Sequence, residues 1–312
     1  MQPRHPMPRM LFIRDYQGYN GGHRKVFDYI SHVAAMGQFL PALYCTKASV
    51  PIPSHYLPHD LEILKDISVS DAYFVAGNDW VQLDHAGIDT TTSPVINLIQ
   101  GLRHANPDST QYRFLDRPAL RICVSDVVAD AIRSTDRVNG PICVNYNGIA
   151  PLSRFIPSSR TCDVFIAGAK NPDLARRVAA LAQERGISLD LLTDFIDQRQ
   201  FLRRMASAKI ALTLPLPIDG FFLPGLEAMA LGCIAVVPDC PGARSYCIDG
   251  KTGFTPTADE NAILTTIQAI LADAERASKI RNEAKRIVQE HSISRERKMF
   301  SKFLSEHFKR FL

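Results

Sequence analysis

Residues 219–254 read D-G-F-F-L-P-G-L-E-A-M-A-L-G-C-I-A-V-V-P-D-C-P-G-A-R-S-Y-C-I-D-G-K-T-G-F. An apolar strand over 210–216 runs into this stretch. Asp219, Gly220 and an apolar turn follow, and Pro224 stands where a first helical residue would, because it needs no N–H partner there. Leu226, Met229, Ala230 and Leu231 continue at helical spacing, Gly232 ends the helix, and 233–237 is a second strand stopped by Pro238. A strand–loop–helix–strand unit sets a helix N-terminus at the carboxyl end of a parallel strand, where open α/β sheets hold ligands. Its unpaired N–H groups and dipole favour phosphate. Asp219 in the loop and Glu227, expected in the first helical turn, flank that spot. A carboxylate there is also a plain helix stabiliser, and both readings of Glu227 stand at this point.

Asp219 and Glu227 have seven residues between them, and the helix reads G-F-x-L-P-x-L-E-A-M-A-x-G. This resembles the acidic-x7-Glu signature of retaining glycosyltransferases of the GT-B fold, family 4 in particular. The segment P-G-A-R-S-Y-C-I-D-G-K-T-G-F is similar to that family's Gly-rich turn segment. The resemblance implies that Glu227 binds the ribose hydroxyls of a sugar nucleotide. It implies that Asp219, with the amides of Gly220, Phe221 and Phe222 and with Leu223, holds the donor sugar and diphosphate at the catalytic centre. The sequence departs from the pattern in three places: Asp219 stands for the usual Glu, Phe222 for a usual Gly, and Ser245 for a further Glu.

The chain has 312 residues, 46% hydrophobic and 22% charged, which suits two globular domains. No apolar run approaches the ~20 residues that span a bilayer. The apolar run 10–13 is too short for a signal peptide, so a cytoplasmic protein is expected. Seven cysteines without C-x2-C spacing read as reduced thiols. Net charge is +4, and 295–310 alone holds six Lys or Arg against two Glu, so the body is neutral and a broad nucleic-acid surface is not expected.

The opening strand, 10–15, ends in a Gly-rich loop and a helix, the start of a Rossmann-like half without a G-x-G-x-x-G fingerprint. By the resemblance, Gly21 and Gly22 lie near the donor phosphates, with Arg24 and Lys25 as acceptor-side or phosphate candidates. A solvated basic helix start is the other reading of those two cations. Strands are expected at 40–45, 72–76, 95–99, 120–124 and 141–145, a doubly wound parallel alternation. Asn78 follows the third strand of the chain and Gln100 the fourth. Family 4 often places a donor-contacting His after that fourth strand; His104 is the nearest match, displaced by a few residues, and Gln100 is the other candidate for that position. A surface-loop histidine is the alternative. Asn147-Gly148 is a turn, and 151–160, rich in Pro, Ser and Arg, is the expected linker.

The second domain repeats the alternation, with strands expected at 163–167 and 189–192 and helices at 173–185 and 200–208. By the resemblance, Lys170, just past the first of these strands, is the candidate for countering the diphosphate, while the Arg usual there has no clear match; a solvated lysine is the alternative. Helices are expected at 258–272 and 274–291. Phe300, Phe303, Leu304, His307, Phe308 and Phe311 then fall on one helical face, with a basic opposite face. Such a helix either crosses back to pack on the first domain or lies on an anionic inner-membrane surface through 295–312.

The expected fold is therefore α/β, a GT-B pair of Rossmann-like doubly wound domains over 1–155 with 293–312, and 156–292. The expected activity is retaining, metal-independent hexosyl transfer from a nucleotide sugar to a saccharide or lipid-linked acceptor, without a cofactor, in cell-surface glycan synthesis. No D-x-D follows a strand. The alternatives are a weakly catalytic GT-B scaffold that binds sugar nucleotide, and a sugar-nucleotide epimerase.

Overall fold

The computed structural model describes residues 7–308. Two compact units divide it, one formed by 7–146 with 296–308 and the other by Asn147–Arg295. The division falls at Tyr146, ahead of the Pro-rich stretch 151–160, which belongs to the second unit.

The first unit runs β1 (Arg9–Arg14), α1 (Gly21–Met36), β2 (Leu40–Cys45), β3 (Glu62–Leu64), β4 (Ala72–Ala76), α2 (Trp80–His85), β5 (Val95–Ile99), β6 (Leu120–Cys123), α3 (Asp126–Arg133) and β7 (Ile142–Val144). Its seven strands lie in the order β3-β2-β1-β4-β5-β6-β7, all parallel. The strands are apolar runs because helices cover both faces of such a sheet; β4 and β5 are buried at every position. β3 is the strand the periodicity does not predict: it is three residues long, and Glu62 and Ile63 are exposed at the sheet edge. α1 begins where the Asn20 side chain accepts from His23 N at 2.9 Å, satisfying one of the free donors of a helix start.

The second unit runs β8 (Cys162–Ala167), α4 (Pro172–Glu184), β9 (Leu189–Leu192), α5 (Gln198–Ala206), β10 (Ala208–Thr213), α6 (Leu223–Ala230), β11 (Ile234–Val236), α7 (Glu260–Ala272) and α8 (Ala274–Glu290). Its parallel sheet has the order β11-β10-β8-β9. Val164, Ile166, Ile210 and Leu212 of the sheet meet Val178 of α4 and Ile263 and Ile267 of α7 in one core. Each such fully buried side chain contributes roughly 1.5–3 kcal/mol.

In both sheets the chain moves to one side of the first strand and then returns to its other side. The reversal lies between β1 and β4 in the first unit and between β8 and β10 in the second. Ligands of open α/β sheets bind at the carboxyl ends of the strands flanking such a point.

α9 (Ile293–His307) is assigned to the first unit from Glu296 onward. Phe300, Phe303, Leu304 and Phe308 are buried, and the Phe300 ring meets Tyr29 edge-on at 4.8 Å. The aromatic and Leu positions of the predicted face are thus occupied by the protein's own core, whereas His307, predicted on the same face, is exposed, as are Arg295, Lys298 and Lys302. Phe311 lies outside the described residues. The seven cysteines are all unpaired.

Candidate functional site

At the reversal point of the second sheet, the turn after β8 carries Lys170 and the loop after β10 carries Asp219. The Lys170 ammonium donates to both Asp219 oxygens, at 2.7 and 2.8 Å. Asp219 Oδ2 also accepts the N–H of Leu216 at 2.8 Å, which folds the loop back on the end of β10. Lys170 Nζ lies 5.1 Å from the centroid of the Phe222 ring. The side chains are 31% and 18% exposed, so the pair is open enough to meet a ligand. Two residues far apart in sequence thereby form one unit, with Lys170 partly exposed and paired rather than a free surface lysine.

The loop itself is fastened from behind. Phe222 N donates to Gly242 O at 3.0 Å, so the Phe222 amide is engaged inside the protein rather than offered to phosphate as the sequence suggested. A Cβ at Gly242 would lie 2.5 Å from Asp219 O and 2.8 Å from Phe221 N, so only glycine lets the 241–243 turn approach this closely. The Tyr246 hydroxyl donates to Phe222 O. That contact needs Gly225, where a Cβ would lie 2.6 Å from the Tyr246 hydroxyl. The Phe221 ring packs against Tyr246 and His291, each 5.5 Å away. Burial lowers the basicity of His291. Gly220 is buried in the same turn.

α6 starts at Leu223, with Pro224 as its second residue. Glu227 therefore sits in the second turn, not the first, and the dipole-stabiliser reading loses its basis because that effect fades beyond the first turn. Glu227 is only 6% exposed, and Gln198 Nε2 donates to its Oε1 at 3.1 Å. Gln198 opens α5, whose N-cap Asp197 accepts from Arg199 N and Gln200 N. Nothing in local sequence marks Gln198: only the fold brings it to Glu227. The first turn of α6 makes no side-chain cap hydrogen bond, so no capping side chain occupies the N–H groups of Leu223 and Gly225.

In the first unit, Gln100 Nε2 donates to Gly22 O at 3.2 Å, joining the end of β5 to the start of α1, where Gly21 also lies. Arg24 pairs with Asp28 at 2.9 Å and lies 5.6 Å from the Tyr56 ring centroid. Lys25 is neither solvated nor available to phosphate. It is 1% exposed, bound to Asp28 at 2.8 Å and to Glu296 of α9 at 2.6 Å. Burial works against its charge, but the two carboxylates outweigh it and hold Lys25 above the ordinary lysine range. Arg297 Nε donates to His32 Nδ1 at 3.4 Å, leaving Nε2 to donate to the same Glu296 oxygen at 3.3 Å. Asn78 is exposed, and its side-chain oxygen accepts from Thr110 Oγ1 at 2.9 Å.

His104 is buried, 5% exposed, and is not the surface histidine of the alternative reading. Burial, with Arg103 and Arg121 nearby, pushes its pKa down to about 3. Its folded pKa lies below the unfolded value, so the unfolded chain binds the proton first as pH falls. Stability from the neutral ring is complete above about 6.5 and is lost progressively toward about 3. Between pH 7 and 4.5 the wild type should lose about 2–3 kcal/mol more than His104→Gln, read from urea midpoints at the two pH values. Equal losses would show that the ring is protonated in the folded state.

Residues 157–287 match the family model of glycosyl transferases group 1. No curated protein sequence matches the chain. Among solved structures, HepE of Anabaena in complex with UDP-glucose superposes with a TM-score of 0.74 at 15% identity, covering 96% of this chain and 100% of that one. Sucrose-phosphate synthase from Thermosynechococcus elongatus gives 0.68 at 14% identity, covering 97% and 100%. A glycosyltransferase from Rickettsia africae gives 0.70 at 11% identity, covering 97% and 99%. The fold is GT-B. In this GT-B chain the group 1 match lies wholly within the second unit, the one that carries Lys170, Asp219 and Glu227.

Proposed function

We propose that the chain transfers a sugar, with retention of configuration, from a nucleoside-diphosphate donor to a saccharide or lipid-linked acceptor in glycan synthesis. The observation that carries this is the convergence of Lys170, Asp219 and the uncapped start of α6 at the reversal point of the second sheet, with the buried carboxylate of Glu227 on the same helix. Glu227 would accept the two ribose hydroxyls while Gln198 fixes its rotamer. Two of the three ammonium hydrogens of Lys170 are taken by Asp219, and the third would meet a phosphate oxygen. The amides of Leu223 and Gly225 and the α6 dipole add to that charge balance, so the diphosphate leaves without a metal in this reading. Asp219 would position Lys170 and a donor-sugar hydroxyl. The structural relative HepE binds UDP-glucose, which supports a nucleotide-sugar donor here.

The proposal is tested by incubating the chain with UDP-, GDP-, ADP- and dTDP-hexoses and candidate acceptors in EDTA. One donor should release its nucleoside diphosphate, and proton NMR should show the product's anomeric configuration equal to the donor's. An inverted product would remove the retaining assignment. Release that stops in EDTA would remove metal independence.

A further inference from the structure

α5 carries three arginines that are used differently. Arg204 is held by Asp190, through Nε at 2.9 Å and Nη2 at 2.5 Å. Arg199 and Arg203, four residues apart on one helical face, join Arg154 and Phe155 in lining a concavity of about 250 Å³. Among the described residues, Arg154, Arg199 and Arg203 pair with no carboxylate. Asp197, the acid beside them in sequence, is committed to capping α5 at 2.8 and 3.4 Å. The Arg154 guanidinium lies over the Phe155 ring at 4.9 Å, a stacking that fixes the group and leaves its in-plane N–H donors unused.

Arg203, in the last turn of α5, suits the helix dipole, but folding does not ask for Arg199 in the first turn or for three cations side by side. A cation in the first turn of a helix opposes the dipole. Like charges four residues apart repel. A third cation from the 153–155 turn adds to both effects. An anion in the concavity reverses all three, and the guanidinium fork matches two oxygens of a phosphate at once. We propose that this concavity is a binding site for a phosphate ester, held by Arg154, Arg199 and Arg203. Neither Lys170 nor Glu227 lines it, so the proposal does not rest on the donor reading. Two sources share this chemistry, a soluble sugar phosphate and the phosphate headgroup of a lipid.

The test uses the full chain with Glu227→Ala, so that the proposed donor site does not contribute, and the same protein with Arg199→Gln and Arg203→Gln added. One arm titrates glucose 1-phosphate by calorimetry. The other sediments phosphatidylcholine vesicles with and without phosphatidic acid. Matching melting curves establish that the added substitutions leave the fold intact. Saturable binding of the sugar phosphate that weakens about tenfold or more with the two arginines removed supports the site with a soluble ligand. Co-sedimentation that requires phosphatidic acid and the two arginines supports it with a lipid ligand. Absence of binding in both arms, or binding indifferent to the arginines, overturns it.

Discussion

Glu296→Ala should destabilise the first unit by about 3–5 kcal/mol, the range for removing one partner of a buried ion pair. The carboxylate is 0% exposed at its side chain and Lys25 is 1% exposed, so neither can turn to water when the other is lost. Asp28 would remain as the ammonium's partner, and His32 Nε2 would lose its acceptor. The pair joins α1 to α9, so its loss should also loosen the seat of Phe300 and Leu304. Replacing both Lys25 and Glu296 by Met should recover most of the loss, because a well-packed apolar pair is close to neutral against a buried ion pair. Asp28 keeps Arg24 as its partner in that double variant. Urea melts of the two single variants and the double form a cycle that isolates the coupling. A Glu296→Ala loss under 1 kcal/mol would mean that the site is hydrated.

Lys170→Ala should lower turnover of a sugar-nucleotide donor by about 10²–10³, the usual effect of removing one group that stabilises developing transition-state charge. Its effect on stability should be small, because the ion pair with Asp219 is partly exposed and such pairs contribute about 1 kcal/mol or less. Lys170→Arg should keep part of the activity, since it retains the charge while its planar fork fits Asp219 differently. Steady-state rates measured beside melting curves separate the two effects. Turnover within a few-fold of wild type, at unchanged stability, would remove Lys170 from the chemistry.

The parallel alternation was readable because strands covered on both faces are continuous apolar runs with Gly or polar breaks at their ends. β3 was not readable, since an edge strand of three residues with an exposed Glu62 and Ile63 carries no such run. Asp219 and Glu227 stand out by spacing, and Lys170 by its place after a strand; their pairing is a property of the fold. Lys25 misled for a related reason. A lysine in the first turns of a helix reads as solvated or phosphate-facing until its partner is known, and Glu296 lies 271 residues away. Gln198, Gly242 and Tyr246 have no pattern that announces them. They act by holding Glu227 and the 219–222 loop, and contacts of that kind depend on elements brought together only in three dimensions. The start of α6 was misplaced by one residue, enough to move Glu227 from the first turn to the second and to change which physical effect explains it.

Calorimetric titration with UDP, GDP, ADP and dTDP, repeated on Glu227→Ala, tests the donor site most directly. One nucleoside diphosphate should bind selectively, and the variant should bind it about 1–3 kcal/mol more weakly, the value of a hydrogen-bonded buried carboxylate. Binding of none of the four, or equal binding by the variant, would contradict the assignment of Glu227 and with it the proposed donor site.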